Sequence, residues 1–254
     1  WTGVCDHLFR GINHNNSCEK KTMSEIKPAL AAKIDAVIAV LKDIEQNYLP
    51  ATLATSFGAE DMVLMDLICK HAPGIDIFTL DTGRLPKETY ELMQTLNSHY
   101  DKKVEVYFPN TADVESFVTH NGPNAFYDSV ELRKQCCGIR KVVPLNRALS
   151  GKKAWITGMR RSQSVTRSEL PVSEWDDDHG LQKFSPLTDW SNGNVWAYLR
   201  AYDVPYNSLH DEGYASIGCA PCTRAITMGE DIRAGRWWWE DPENKECGLH
   251  VKSN

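Results

Sequence analysis

Apolar residues recur at helical spacing from Ile26 to Leu41 (Ile26, Leu30, Ile34, Val37, Ile38, Leu41), which predicts an amphipathic helix. The short apolar run ATLATS at 51–56 reads as a buried strand, and GAEDMVLMDLICKHA after it as a helix opening near Ala59. IDIFTLDTG at 75–83 is a second strand ending in a turn. The helix PKETYELMQTLNSHY follows, with Pro86 suited to a first-turn position. KVEVYF at 103–108 is a third strand, TADVESFVTH and the stretch 134–149 are helices, and KAWITG at 153–158 is a fourth strand. Strands alternating with helices of these lengths predict an α/β fold, a single domain with a mostly parallel central sheet flanked by helices. Past residue 170 the pattern loosens to one helix over 194–202 and a tail rich in tryptophan and cysteine. The chain divides into a leader (1–22), one domain (23–235) and a flexible C-terminal tail (236–254), with Met23 a candidate natural start.

Composition narrows the function. In 254 residues, 42% hydrophobic and 24% charged, the balance is that of a globular protein with one sizeable core. No apolar run approaches the ~20 residues of a membrane-spanning helix. The first residues lack the basic-then-apolar layout of a secretory signal, so a cytoplasmic protein is expected. A net charge of −6 argues against a nucleic-acid surface. Positive charge is instead local, at 140–141, in MRRSQSVTR (159–167) and in RAGR (233–236), which suits a small anion.

In parallel sheets ligands bind beyond the carboxyl ends of the strands. TSFGAED (55–61) joins the first strand to its helix through Ser56 and Gly58, a turn able to aim N–H groups at an anion. LDTGR (80–84) and ITGMRRSQSVTR (156–167) end two further strands. Each alone is a solvated turn; three converging on one edge favour a phosphate- or sulfate-bearing ligand.

Eight cysteines need an account. A disulfide framework sits poorly with a long, helix-rich chain. Spacing is more informative: Cys136 and Cys137 are adjacent, and Cys219 and Cys222 form C-x-x-C. Four thiolates from two pairs suit zinc or an iron–sulfur cluster. Neighbours on a helix point about 100° apart, which is awkward for one ion and easier for a larger cluster. Lys141, four residues after Cys137, would share its helical face and offset thiolate charge. Cys69 reads as core packing, the tryptophans at 237–239 as a loop anchor, and nothing in the sequence supplies His210 and Asp211 with a third catalytic partner.

SFGAED, LDTGRLPKETY, CCGIRKVVPL, ITGMRRSQSVTRSELP, SIGCAPCTR, GRWWWE and KECGLH together resemble the assimilatory adenylyl-sulfate reductases, the APS branch of the phosphosulfate reductase family, over residues 50–250. The resemblance implies an adenine nucleotide α-hydrolase-like fold and adenosine 5′-phosphosulfate (APS) as substrate, with sulfite and AMP as products. It also implies a [4Fe–4S] cluster on Cys136, Cys137, Cys219 and Cys222 and a catalytic Cys247. Substrate contacts carried over with it are Ser56, Phe57, Gly58, Glu60, Asp61, Leu80, Asp81, Thr82, Arg84, Lys141, Gly158, Arg161 and Arg167. The nucleophile would attack sulfate sulfur, AMP would leave, and a separate thioredoxin would release sulfite from the S-sulfocysteine. Glu246 beside Cys247 disfavours the thiolate, so activation is expected from Arg233 and Arg236, with His250 as a further candidate. A homo-oligomer is expected. Two alternatives stay open: a cluster-bearing reductase of the 3′-phosphorylated substrate (PAPS), and a zinc-stapled adenylate-binding module or ligase. Against the latter stand the tail cysteine and the lack of an S-G-G-x-D-S loop.

Overall fold

The computed structural model of the chain describes residues 28–163 and 169–241. Leu30, Ile34, Val37, Leu41 and Ile44 form the buried stripe of α1 (Pro28–Asn47), the predicted first helix extended by two turns. After it come β1 (Ala51–Thr55), α2 (Ala59–His71), β2 (Asp76–Leu80), α3 (Lys87–His99), β3 (Glu105–Tyr107) and α4 (Thr111–Asn121). Pro86 caps α3 rather than entering its first turn. The helix predicted over 134–149 is in fact three consecutive windings. These are α5 (Val130–Cys137), a π turn (Gly138–Val142) and α6 (Val143–Leu149). Then follow β4 (Ala154–Ile156), β5 (Ser173–Asp176), β6 (Leu181–Phe184) and α7 (Asn192–Ala201), whose N-terminus is closed by a Ser191–Asn194 capping box.

The sheet order is β3-β2-β1-β4-β6-β5, parallel except for β5 at one edge. The chain steps outward from β1 to β3, then returns to the other side of β1 with β4. Strand order therefore reverses between β1 and β4, where loops diverge and leave a crevice. On one face, α1, α2 and α7 bury Leu41, Ile44, Met62, Met65, Val195 and Leu199 against β1 and β4. Buried Asp66 ties that layer together, accepting from Tyr100 (2.8 Å), Tyr198 (2.6 Å) and Lys70 (2.8 Å). On the other face, α6 packs Leu145 and Leu149 on Phe78 and Trp155. A third cluster stands apart and holds all four paired cysteines with Phe117, Phe126, Trp237 and Trp239.

One expectation needs correcting. The pattern that loosens after 170 contains the β5–β6 hairpin, which widens the sheet by two strands. Residues just after 235 are packed in the described structure. Trp237 is 1% exposed and the Glu240 side chain is ion-paired in the interior. Among the described residues no helix is long and apolar enough to cross a membrane.

Candidate active site

Beyond the carboxyl ends of β1, β2 and β4 lies a cavity of about 260 Å³. Ala54, Phe78, Leu80, Leu145 and Trp155 give it an apolar wall. Ser56, Gly58, Glu60, Asp61, Thr157, Gly158 and Gln163 form a polar end. Lys141 from the π turn and Arg233 and Arg236 from one loop supply a cationic side next to Ser216 and Gly218. Flat apolar surface, polar groups and fixed positive charge in one crevice suit a purine nucleotide carrying anionic groups.

The turn after β1 is built differently from the expectation. Phe57 takes a left-handed backbone (φ 59°) and turns its side chain into the core, so its ring does not line the cavity. The Ser56 N–H and hydroxyl both donate to Asp61 (2.7 and 2.8 Å), and Gly158 N–H donates to it as well. The carboxylate of Asp61 thus occupies donors expected to face a ligand anion. Burial pushes its pKa up to about 6 against those hydrogen bonds. Gly158 has no room for a side chain: a Cβ there would sit 2.4 Å from Asp61 Oδ1, 2.9 Å from Glu60 Cβ and 3.3 Å from the Asp61 backbone N. Gly158→Ala is expected to displace the start of α2. That should cost about 1–3 kcal/mol and weaken nucleotide binding, read by thermal unfolding and AMP titration.

The arginines divide. Arg236 is buried and stacked on Trp237, its guanidinium carbon 4.8 Å from the ring centre. Arg161 is directed elsewhere, donating to Leu170 O and pairing with Asp189 at 2.5 Å, and it does not line the cavity. Arg84 reaches Pro123 O and Asn124 and lies over Phe126, beside the cysteines. Asp81 is also turned from the cavity, accepting from Gly83 N–H and the Tyr90 hydroxyl. Thr82 lines the cavity and touches Cys219 Sγ at 3.2 Å. Arg167, Cys247 and His250 lie outside the described residues. Side chains that the sequence reading missed are Gln163, Ser216 and His210, all from segments without strand or helix periodicity.

Cys136, Cys137, Cys219 and Cys222 line a second hollow of about 20 Å³ with Arg84, Arg140 and Lys141, and none forms a disulfide. The last turn of α5 carries the first two, and the 3₁₀ turn Ala220–Cys222 with its cap carries the others. The π turn directly after Cys137 keeps Lys141 within reach of both hollows. Burial pushes the Cys222 thiol up to about 12, helped by Cys219 and Cys137, and burial raises Cys136 as well. Burial also acts upward on Cys219. There, however, Lys141, the Thr82 hydrogen bond, Arg236 and Arg140 outweigh it and hold the thiol below its ordinary value. Among the described residues, no three His, Cys, Asp or Glu side chains close around a single metal ion.

Residues 50–225 match the phosphoadenosine phosphosulfate reductase domain. The chain belongs to that family. A relative from Allochromatium vinosum, named adenosine 5′-phosphosulfate reductase, is 53% identical over 232 residues and covers 91% of both chains. Among solved structures, phosphoadenylyl-sulfate (PAPS) reductase from Candida auris, a phosphate complex, is similar with a TM-score of 0.65 and 29% identity. That match covers 82% of this chain and 94% of the other. An NH3-dependent NAD synthetase from Campylobacter jejuni, 11% identical with a TM-score of 0.51 over 72% of this chain and 77% of its own, shares the fold. The strand order and crevice described above are therefore those of an adenine nucleotide α-hydrolase-like reductase domain.

Proposed function

We propose that this family member reduces APS to sulfite and AMP with thioredoxin as electron donor. The observation that carries the reading is the cationic side of the cavity, where Lys141, Arg233 and Arg236 meet beside the four-thiol hollow and across from an apolar wall. The name of the 53%-identical relative points to APS as the substrate. In this reading the purine lies on Leu80, Leu145 and Trp155, and the phosphosulfate faces the three cations. They neutralise the sulfate oxygens that an anionic nucleophile has to approach and the phosphate of departing AMP. The Cys247 thiolate forms a bond to sulfur as the sulfur–oxygen bond to AMP breaks. A thioredoxin thiolate then attacks Cys247 Sγ, sulfite leaves with the electron pair, and the second thioredoxin thiol frees Cys247 by disulfide exchange. Two thiols of thioredoxin are oxidised and the sulfate group is reduced by two electrons.

The donor set of the second hollow fits a [4Fe–4S] cluster: four thiols outside any disulfide, ringed by Arg84, Arg140 and Lys141, which offset thiolate charge. When bound, such a cluster supplies a covalent link between α5 and the 219–222 turn and a fixed charge beside the cations. The deciding test is anaerobic incubation of the full chain with APS and no thiol, followed by peptide mass analysis. A sulfonate on Cys247, formed with AMP and released as sulfite by thioredoxin, is expected; an unmodified Cys247 in protein that has released AMP overturns the assignment. Titration with APS and PAPS separates the PAPS-reductase alternative, which requires tighter binding of the 3′-phosphorylated compound.

The cations should separate in mutagenesis. Arg236→Ala is expected to lower kcat/KM on the order of a hundred-fold, because it removes charge stabilisation inside the cavity. Arg236→Lys should recover only part, since an ammonium lacks the planar fork. Arg161→Ala, whose guanidinium is engaged with Asp189, should stay within a few-fold of wild type. Steady-state sulfite release measures all three, and equal losses at 161 and 236 would refute this division.

A further inference from the structure

His210 stands in the cavity wall with one ring nitrogen unaccounted for. Its Nδ1 lies 2.8 Å from Tyr214 O. A carbonyl oxygen only accepts, so Nδ1 carries the proton. Nε2 is buried and has no hydrogen-bond partner among the described residues. Burial lowers the pKa of the ring below its ordinary value, which favours the neutral imidazole and leaves the buried Nε2 with an unpaired lone pair. Nε2 is therefore an acceptor awaiting a donor.

The ring is rigidly mounted. It rides on the 3₁₀ turn Ser208–Glu212, whose cap residue Asn207 is buried, accepts from Leu209 N–H (3.1 Å) and donates to Thr89 Oγ1 (3.0 Å) at the start of α3. Trp196 meets the imidazole edge-to-face, ring centres 5.3 Å apart. A buried polar atom held this firmly without a partner is uncommon, and such atoms concentrate where a ligand supplies the missing group.

We propose that Nε2 of His210 accepts a hydrogen bond from a ribose hydroxyl of the bound adenylate. The inference rests on the adenylate reading of the cavity. Within it, the flat apolar wall takes the purine and the cationic side takes the anionic groups. The ribose between them then turns its diol toward His210, which lines the same cavity as Glu60 and is near enough to feel its charge. The other donor on the nucleotide, the purine amino group, would have to leave the apolar wall to reach it. Phosphorylation of the hydroxyl that His210 holds removes its hydrogen and the contact with it.

The test is calorimetric titration of the full chain with AMP, 2′-deoxy-AMP and 3′-deoxy-AMP, using wild type, His210→Asn and His210→Gln. Asparagine can keep the donor to Tyr214 and removes the acceptor; glutamine places an amide oxygen near the position of Nε2. One deoxynucleotide is expected to bind wild type about ten-fold more weakly than AMP, and which one identifies the hydroxyl. His210→Asn should bind AMP about ten-fold more weakly and not distinguish it from that deoxynucleotide, with His210→Gln recovering much of the loss. If wild type binds all three nucleotides alike, or if His210→Asn still discriminates fully, the inference is wrong while the adenylate reading stands. Failure of wild type to bind AMP at all would remove both. The wild-type arm needs no variant to fold.

Discussion

Replacing Cys247 with serine is expected to cut sulfite formation by on the order of a thousand-fold or more, while AMP affinity stays at the wild-type value. The reaction needs a thiolate twice, first as nucleophile toward sulfate sulfur and then as the group that thioredoxin exchanges, and a hydroxyl serves neither step. Four of the described thiols are poor substitutes on physical grounds. Burial holds Cys69 at about 11 and Cys222 at about 12, and it raises Cys136 too. Cys219 is held lower, but it is 8% exposed and in contact with Thr82. None of these four combines thiolate character with the access that a protein reductant requires. Single-turnover AMP release under anaerobic conditions checks this cleanly. A burst of AMP from Cys247→Ser equal to wild type would move the nucleophile to another cysteine.

The second large effect is expected at the base of the tail. The side chains of Arg133 on α5 and Glu240 are 1% and 3% exposed and joined by two hydrogen bonds of 2.9 and 2.7 Å. Trp237 is in contact with two guanidinium groups, Arg133 at 4.7 Å and Arg236 at 4.8 Å from its ring centre. Arg133→Met strands a buried carboxylate and is expected to cost about 3–5 kcal/mol of stability. The double variant Arg133→Met, Glu240→Leu should regain most of that, because removing both charges also removes the desolvation penalty. Chemical denaturation measures both variants. A single-variant loss below about 1 kcal/mol would mean that water reaches the pair, as at a surface ion pair. The pair matters for chemistry as well as stability. It fastens the helix bearing Cys136 and Cys137 to the segment bearing Arg236, so the thiol hollow and the cationic side of the cavity share one support.

Where a segment contributes to one buried face, its sequence announced it. Helices α1 to α4 and α7 and strands β1 to β4 appear because a repeating apolar pattern follows directly from one-sided burial. The β5–β6 hairpin stayed hidden for a physical reason. SEWD and LQKF are four residues each, and Lys183 sits in the middle of β6 although it is buried. Its ammonium lies 5.2 Å from the Trp155 ring centre and 3.6 Å from Glu174, partners that no local pattern reveals. The arginines illustrate the same limit in the site. Arg84, Arg161 and Arg236 all belong to motifs, yet only Arg236 lines the cavity, because the long side chain follows whichever acceptor the fold brings near. His210 went unassigned because the residues around it, Tyr214 O, Trp196 and Glu60, are remote in sequence or lack any signature.

By itself the sequence determined the α/β alternation, the family and the two cysteine pairs. Each of these is a matter of residue type and spacing, which is local information. The tertiary structure alone decided that the thiols share one hollow, that Asp61 occupies the donors of the β1 turn, and that Arg161 turns away. It also brought together Lys141, Arg233 and Arg236, and it left Nε2 of His210 without a partner. Those outcomes depend on which distant groups meet after the sheet reverses between β1 and β4, and burial then sets how much each charge or lone pair matters.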